Sequence, residues 1–447
     1  MAHADSKYTR DLDHDCGLDT RLSTTIDILG LTSEAFIEAA RFVLPKGHGI
    51  ARLLYPQVMD SGRFAPEAHP IAAESLAAWR QHFTVGLLEV VRVVEEPGEF
   101  GTTAKAILKT HDGYEIECVR IPMRASRAAT SDELQAHRAT SHELQATSSP
   151  TDLQRSSPDS GLSDSQLVAR SSQLRSSSQL PDDIDYTLCL SSQVGCKMGC
   201  TFCETGRMGL IRHLTAAEIV AEVVTLRAKL GWSVRNLVFM GMGEALDNAD
   251  HVIQALKVLT DQRGLHYSQE RLTICTAGHA EGLAKLAALG WKRLNLSISL
   301  NAANDEARSR VMPVNRKTPL AELQRILAAY PQRRNFTLGV NYCLMPGMND
   351  ARQDAADIAA FCQPLGRVLI NLIPYNPGNA PLTRAPEEDE IVRFIGWLRE
   401  ENLPVRRRVT KGRSIMAACG QLGNVELRKK MKSTTSAPTT LKTESLP

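Results

Sequence analysis

Between residues 186 and about 420, short apolar runs alternate with helical stretches, and this alternation limits the fold more than any other feature of the chain. Strand candidates fall at 187–190, 236–240, 271–275, 294–299, 337–345, 368–374 and 405–409. The helix at 215–230 is the clearest. Thr215 and Glu218 form a capping box, and Ile219, Val223, Leu226 and Leu230 make its apolar stripe. Strand–helix alternation implies parallel strands joined by right-handed crossovers. About six such units predict an α/β fold, either a partial (β/α)6 barrel or a doubly wound sheet. In both, chemistry gathers at the carboxyl ends of the strands.

The flanking segments read differently. Residues 1–95 are expected to form a small, mostly helical N-terminal domain. Thr32 and Ser33 can open a helix that runs to Val43, and Leu76 to Val91 reads as a second amphipathic stretch. Residues 96–122 hold a β-hairpin extension, TAKAILKT and YEIECVRIP around the turn signal Asp112-Gly113. Residues 123–183 are rich in Ser, Gln, Ala and Arg; ATSDELQA recurs as ATSHELQA, and SQL occurs three times. Such a composition buries too little apolar surface to offset its ordering entropy, so a disordered low-complexity insertion is expected. The core then spans 184–425, and 426–447 form a basic, disordered C-terminal tail.

No apolar run approaches the roughly 18 residues of a membrane span. The start, MAHADSKYTR, lacks the apolar stretch of a secretory signal. A cytoplasmic protein without a membrane partner is expected. In that compartment structural disulfides are rare, so ten cysteines suggest metal binding, redox work or packing. Net charge is only +2, yet Arg406, Arg407, Arg408, Lys411 and Arg413 cluster, as do Arg428, Lys429, Lys430 and Lys432. Such clusters suit a phosphate backbone or a solvated basic face.

The loop after the first core strand reads GCKMGCTFCETG and places Cys196, Cys200 and Cys203 at CxxxCxxC spacing. Three thiolates on one short loop can face a common centre, and soft thiolates suit iron–sulfur clusters. Zinc would usually need a fourth Cys or His at comparable spacing, and none follows until His213. Three ligands on four irons leave one iron open for the amino and carboxylate groups of a methionine-type ligand. Chance alone gives this spacing about one time in two hundred.

CLSSQVGCKMGCTFCETG, LTAAEIV, VFMGMGEAL, the NDEARSRVMPVNRK stretch at 304–317, NLIPYNP and AACGQL together resemble the RlmN/Cfr family of radical S-adenosylmethionine RNA adenine methyltransferases. The resemblance covers residues 186 to about 423 strongly and the hairpin moderately. It implies a radical S-adenosylmethionine core, a [4Fe–4S] cluster on Cys196, Cys200 and Cys203, and S-adenosylmethionine beside Gly243, Glu244, Cys275, Ser299, Leu300, Asn301 and Asn376. It implies that Cys419 is methylated and carries the carbon to an adenine ring. Glu117 would take the ring proton, and Cys189 would close a transient disulfide with Cys419. The implied partners are RNA, namely 23S rRNA with tRNA as a further candidate, and a reducing electron donor such as flavodoxin or ferredoxin.

Read singly, Cys189 and Cys419 are ordinary core cysteines and Glu117 an exposed strand carboxylate. Cys16, Cys343 and Cys362 are assigned to packing or surface, and Cys118 should face away from Glu117. The chain also departs from the family. Cys275 and Ala277 stand where serines are usual, Asn301 replaces a histidine, and Ala245 replaces a proline common in the C2-methylating branch. Methylation at C2 of adenine is favoured. The alternatives are a C8-directed enzyme of the same family and a catalytically decayed RNA-binding protein on the same fold.

Overall fold

The computed structural model describes residues 25–44, 46–124 and 184–423. Cys16, the expected tail and all but the first two residues of the expected insertion lie outside them. Ten strands form one sheet: β1 (Glu89–Glu96), β2 (Thr103–Lys109), β3 (Glu115–Arg124), β4 (Ile184–Cys189), β5 (Asn236–Phe239), β6 (Leu272–Thr276), β7 (Asn295–Ser299), β8 (Leu338–Leu344), β9 (Val368–Pro374) and β10 (Val405–Arg407). Their order across the sheet follows their order in the chain. Strands β1 to β4 pair antiparallel, and β4 to β10 pair parallel. A doubly wound sheet reverses its strand order at a switch point; this one never does, so the partial-barrel reading holds. Seven parallel strands match the seven apolar runs; the first six runs supply the buried residues Leu188, Leu237, Ile274, Ile298, Val340, Ile370 and Leu372, while β10 is half-buried at Val405 and exposed beyond it.

Two expectations need correction. The amphipathic stretch at 76–91 is not one helix. Helix Ala73–His82 stops there, Phe83–Thr84 is a two-residue strand, and β1 begins at Glu89. Thr84 and Val85, then Val90, Val91, Val93 and Val94, are β-branched and lose side-chain freedom in a helix. The helical domain therefore does not run to residue 95; its last segment is the edge strand of the large sheet. The hairpin, in turn, extends past 122. Met123 and Arg124 stay in β3 because they pair with Asp185 and Ile184 of β4. The N-terminal helices Ser33–Val43, Ala51–Ser61 and Ala73–His82 share a core with the sheet layer, where Phe36 meets Phe83 edge-on at 5.2 Å.

Helix Ala216–Leu230 carries the expected capping box, with Glu218 N–H on Thr215 Oγ1 at 3.2 Å and Thr215 N–H on Glu218 Oε2 at 2.9 Å. It also buries Glu222 completely. The Cys118 thiol donates to Glu222 Oε2 at 2.7 Å and the Ser191 N–H does so at 2.9 Å, while Oε1 has no partner among the described residues. Burial pushes this carboxyl up to about 8. Such a group holds its proton more tightly in the folded chain than in the unfolded one. Its contribution to stability therefore falls as pH rises from about 4.5 to about 8. Glu222→Gln should remove that slope. Parent and variant should melt alike near pH 5, and by pH 8.5 the variant should be the more stable by on the order of a few kcal/mol. Calorimetric melts at the two pH values check this; equal melting at both counts against it.

Candidate active site

The carboxyl ends of the parallel strands surround one cavity, and the loop after β4 closes one side of it. Residues 190–193 run against 241–242: Gly241 N–H donates to Leu190 O at 2.9 Å, and Ser192 N–H donates to Met242 O at 2.8 Å. Gly195 then turns with φ +75°, where an added Cβ would lie 1.9 Å from Gly209 O. That turn lets Cys196 N–H reach Gly209 O at 3.1 Å. Cys196, Cys200 and Cys203 all line the cavity.

Burial pushes each of these thiols up, Cys196 to about 12, and each also feels the charge of a neighbour. The three thiols act on one another electrostatically, with Cys203 raising both Cys196 and Cys200. Cys203 is partly relieved by the N–H groups of Gly206 and Thr205. Uncharged thiols in such a place become thiolates only when a cation takes the proton's position, which is the behaviour of metal-ligating cysteines. Among the described residues no three His, Cys, Asp or Glu side chains converge on a single ion. A [4Fe–4S] cluster needs no such convergence, since each thiolate binds a different iron. The residues present fit a cluster.

The remaining cofactor candidates are placed unevenly. Gly243, Glu244, Cys275, Ser299 and Asn301 line the cavity with the three thiols. Glu244 ties two strand ends: its carboxylate accepts from Leu246 N–H at 3.1 Å and Ala277 N–H at 2.7 Å. Cys275 Sγ lies 3.5 Å from Ser299 Oγ and receives Asn341 Nδ2 at 3.1 Å. Asn301 adopts φ +58°, and its Oδ1 accepts from Cys343 N–H at 2.8 Å. Leu300 turns its side chain into the core; its N–H donates to Asn341 O at 3.0 Å. Asn376 lies outside the cavity wall and reaches Cys419 O at 3.5 Å. Cys343, read from sequence as a packing residue, is part of the wall, whereas Cys362 is in the core. Asn341, Met312 and Tyr375 also line the cavity; Met312 and Tyr375 lie in the NDEARSRVMPVNRK and NLIPYNP stretches, while Asn341, within β8, carried no sequence signal.

Cys419 enters the same cavity from the far end of the chain. Its segment is clasped on two sides. From the hairpin strands, Glu96 accepts Gly412 N–H at 2.6 Å, Lys105 Nζ donates to Met416 O at 3.0 Å, and Glu117 Oε2 accepts Gly423 N–H at 3.1 Å. From the cluster loop, Glu204 N–H donates to Gly420 O at 2.8 Å and Thr205 Oγ1 to Leu422 O at 2.5 Å. Cys419 is exposed as a residue and lines the cavity with the three thiols. Desolvation raises it and Arg408 lowers it. Cys189 is buried and pushed up to about 12, first by burial and then by the neighbouring Cys419.

The β3–β4 register, Val119 with Cys189, sets Glu117 beside Ser191, whose hydroxyl donates to Glu117 O at 2.9 Å. Strand alternation sends Cys118 to the opposite face. Lys105, which no sequence motif singled out, stands 3.5 Å from Glu117 Oε1 with both side chains nearly buried.

A sequentially wound parallel sheet with a three-cysteine loop after its first parallel strand defines a radical S-adenosylmethionine protein, and the signature of the Radical SAM superfamily matches residues 190–362. The chain is 34% identical over 405 residues to the probable dual-specificity RNA methyltransferase RlmN 1 of Protochlamydia amoebophila, covering 91% of this chain and 96% of that one. It is 43% identical over 242 residues to the dual-specificity RNA methyltransferase RlmN of Syntrophotalea carbinolica, covering 54% and 64%. The crystal structure of a radical SAM methyltransferase from Sphaerobacter thermophilus superposes with a TM-score of 0.66 at 27% identity, over 89% of this chain and 99% of that one. The chain belongs to the RlmN/Cfr family of radical S-adenosylmethionine RNA methyltransferases. Its cofactors are a [4Fe–4S] cluster and S-adenosylmethionine.

Proposed function

We propose that this protein methylates a ring carbon of adenosine, C2 in preference to C8, in 23S rRNA and in tRNA. The observation that supports the reading is that Cys419 lines the cavity of the three-cysteine loop, while Glu117 bonds to its segment at Gly423 N–H and Cys189, outside the cavity wall, feels its charge. The relatives' dual specificity for RNA agrees with two substrate classes. Cys196, Cys200 and Cys203 hold the cluster. Gly243, Glu244, Cys275, Ser299 and Asn301 frame S-adenosylmethionine, with the backbone of Leu300 and the amide of Asn376 behind them. When bound, these cofactors supply a methyl group and a carbon-centred radical, which an unreactive adenine ring carbon requires.

Each remaining task falls to a side chain of this chain. Cys419 lines the cavity and carries the one-carbon unit to the ring. Glu117 receives the ring proton, and Lys105 Nζ stands 3.5 Å from its Oε1. Cys189 closes on the Cys419 sulfur, which frees the RNA and leaves a disulfide for reduction. Arg406, Arg407 and Arg413 are exposed on the stretch leading to Cys419 and suit the RNA backbone. The reducing partner is a small electron carrier such as flavodoxin or ferredoxin, and the enzyme works in the cytoplasm. No described helix is long and apolar enough to cross a membrane.

Purified protein, reconstituted with iron and sulfide and given 23S rRNA and tRNA, should yield 2-methyladenosine on nucleoside mass spectrometry. 8-Methyladenosine alone would move the reading to the C8 branch, and absence of any methylated adenosine would overturn it.

A further inference from the structure

Arg308 is fully buried, on helix Asp305–Val311. Its guanidinium donates only to uncharged oxygens: Nε to Leu300 O at 3.0 Å, Nη1 to Asn315 Oδ1 at 2.8 Å, and Nη2 to Ala277 O at 2.7 Å and Ser299 O at 3.2 Å. No salt bridge to a carboxylate is found for it among the described residues. Asp305 acts on it only at a distance, since Asp305 Oδ1 is taken by Asn315 Nδ2 at 2.8 Å and Leu320 N–H at 2.9 Å. Burial lowers the guanidinium to about 10, which leaves it charged at neutral pH. A buried cation without a counter-ion is costly, and neutral donors could tie the same carbonyls. Two of its acceptor residues, Ala277 and Ser299, line the cavity together with Cys200, and the guanidinium and that thiol act on each other electrostatically.

We propose that Arg308 is a positioning residue with two tasks: its fork holds the ends of β6 and β7 together at the cofactor cavity, and its unpaired charge is the fixed counter-charge of the cluster site. The inference rests on the reading that Cys200 is a cluster ligand. The added electron of a reduced cluster increases the negative charge near Arg308, so the cation favours the reduced form. Its removal should make the cluster harder to reduce.

The test is an EPR-monitored redox titration of the reconstituted enzyme without substrate, in the parent and in Arg308→Gln, Arg308→Met and Arg308→Lys. Both neutral variants should shift the midpoint to more negative potential. Arg308→Lys should keep the parent midpoint while melting at lower temperature, since an ammonium cannot span the same four oxygens. A neutral variant that loads its cluster with the parent midpoint overturns the proposal. So does an Arg308→Lys midpoint shifted as far as the neutral ones. If Cys200→Ala still holds a full cluster, the ligand reading fails instead, and the two failures are thereby distinct.

Discussion

Cys419→Ala protein should load its cluster and cleave S-adenosylmethionine, yet form no methylated adenosine, a loss of at least about 10³-fold. The thiol is the proposed carbon carrier, and nothing in the cavity can replace it. Cys189 is buried, and Cys275 and Cys343 are held in the wall. The substitution should not disturb the fold. The segment is fixed through main-chain groups of residues 412, 414, 416, 420, 422 and 423, and the backbone oxygen of Cys419 meets Asn376. Mass spectrometry of digested rRNA and tRNA reads the product, and deoxyadenosine release reads the cleavage. Methylated adenosine at parental level would remove Cys419 from the chemistry.

Cys200→Ala should lose both readouts at once. Two of three thiolates would remain on the loop, and iron content and visible absorption should fall to background. The loop itself should persist, because Cys196 N–H on Gly209 O, Thr201 N–H on Val311 O and Cys203 N–H on Cys200 O are backbone bonds. A melting temperature close to that of cluster-free parent, together with lost iron, would separate ligand loss from unfolding. Iron bound as tightly as in the parent would exclude Cys200 as a ligand.

The parallel sheet was legible because its strands are apolar runs and the helices between them carry strong local signals, the capping box of Thr215 above all. β1 was not, since EVVRVVEE follows an amphipathic helix without an obvious break and only its pairing with β2 declares it a strand. The gathering of Cys196, Cys200 and Cys203 at one cavity was legible because their spacing is local. The placement of Cys419 was not readable from spacing, as the contacts that hold its segment come from Glu96, Lys105, Glu117, Glu204 and Thr205, all remote in sequence. Family resemblance supplied what periodicity could not. Arg308 lies in the quoted NDEARSRVMPVNRK stretch, but a charged residue on a short helix reads as a solvated one until its burial is seen.

The pairing of Arg124 with Ile184 has a consequence for how this chain can change over time. Arg124 and Ile184, which bound residues 125–183, are neighbours on adjacent strands. Whatever lies between them can lengthen, shorten or be replaced without altering the β3–β4 register that sets Glu117 beside Ser191. The ladder thus separates a stretch of chain free to drift from the register of the proposed proton acceptor, which is not, and the boundary between them is a single residue pair.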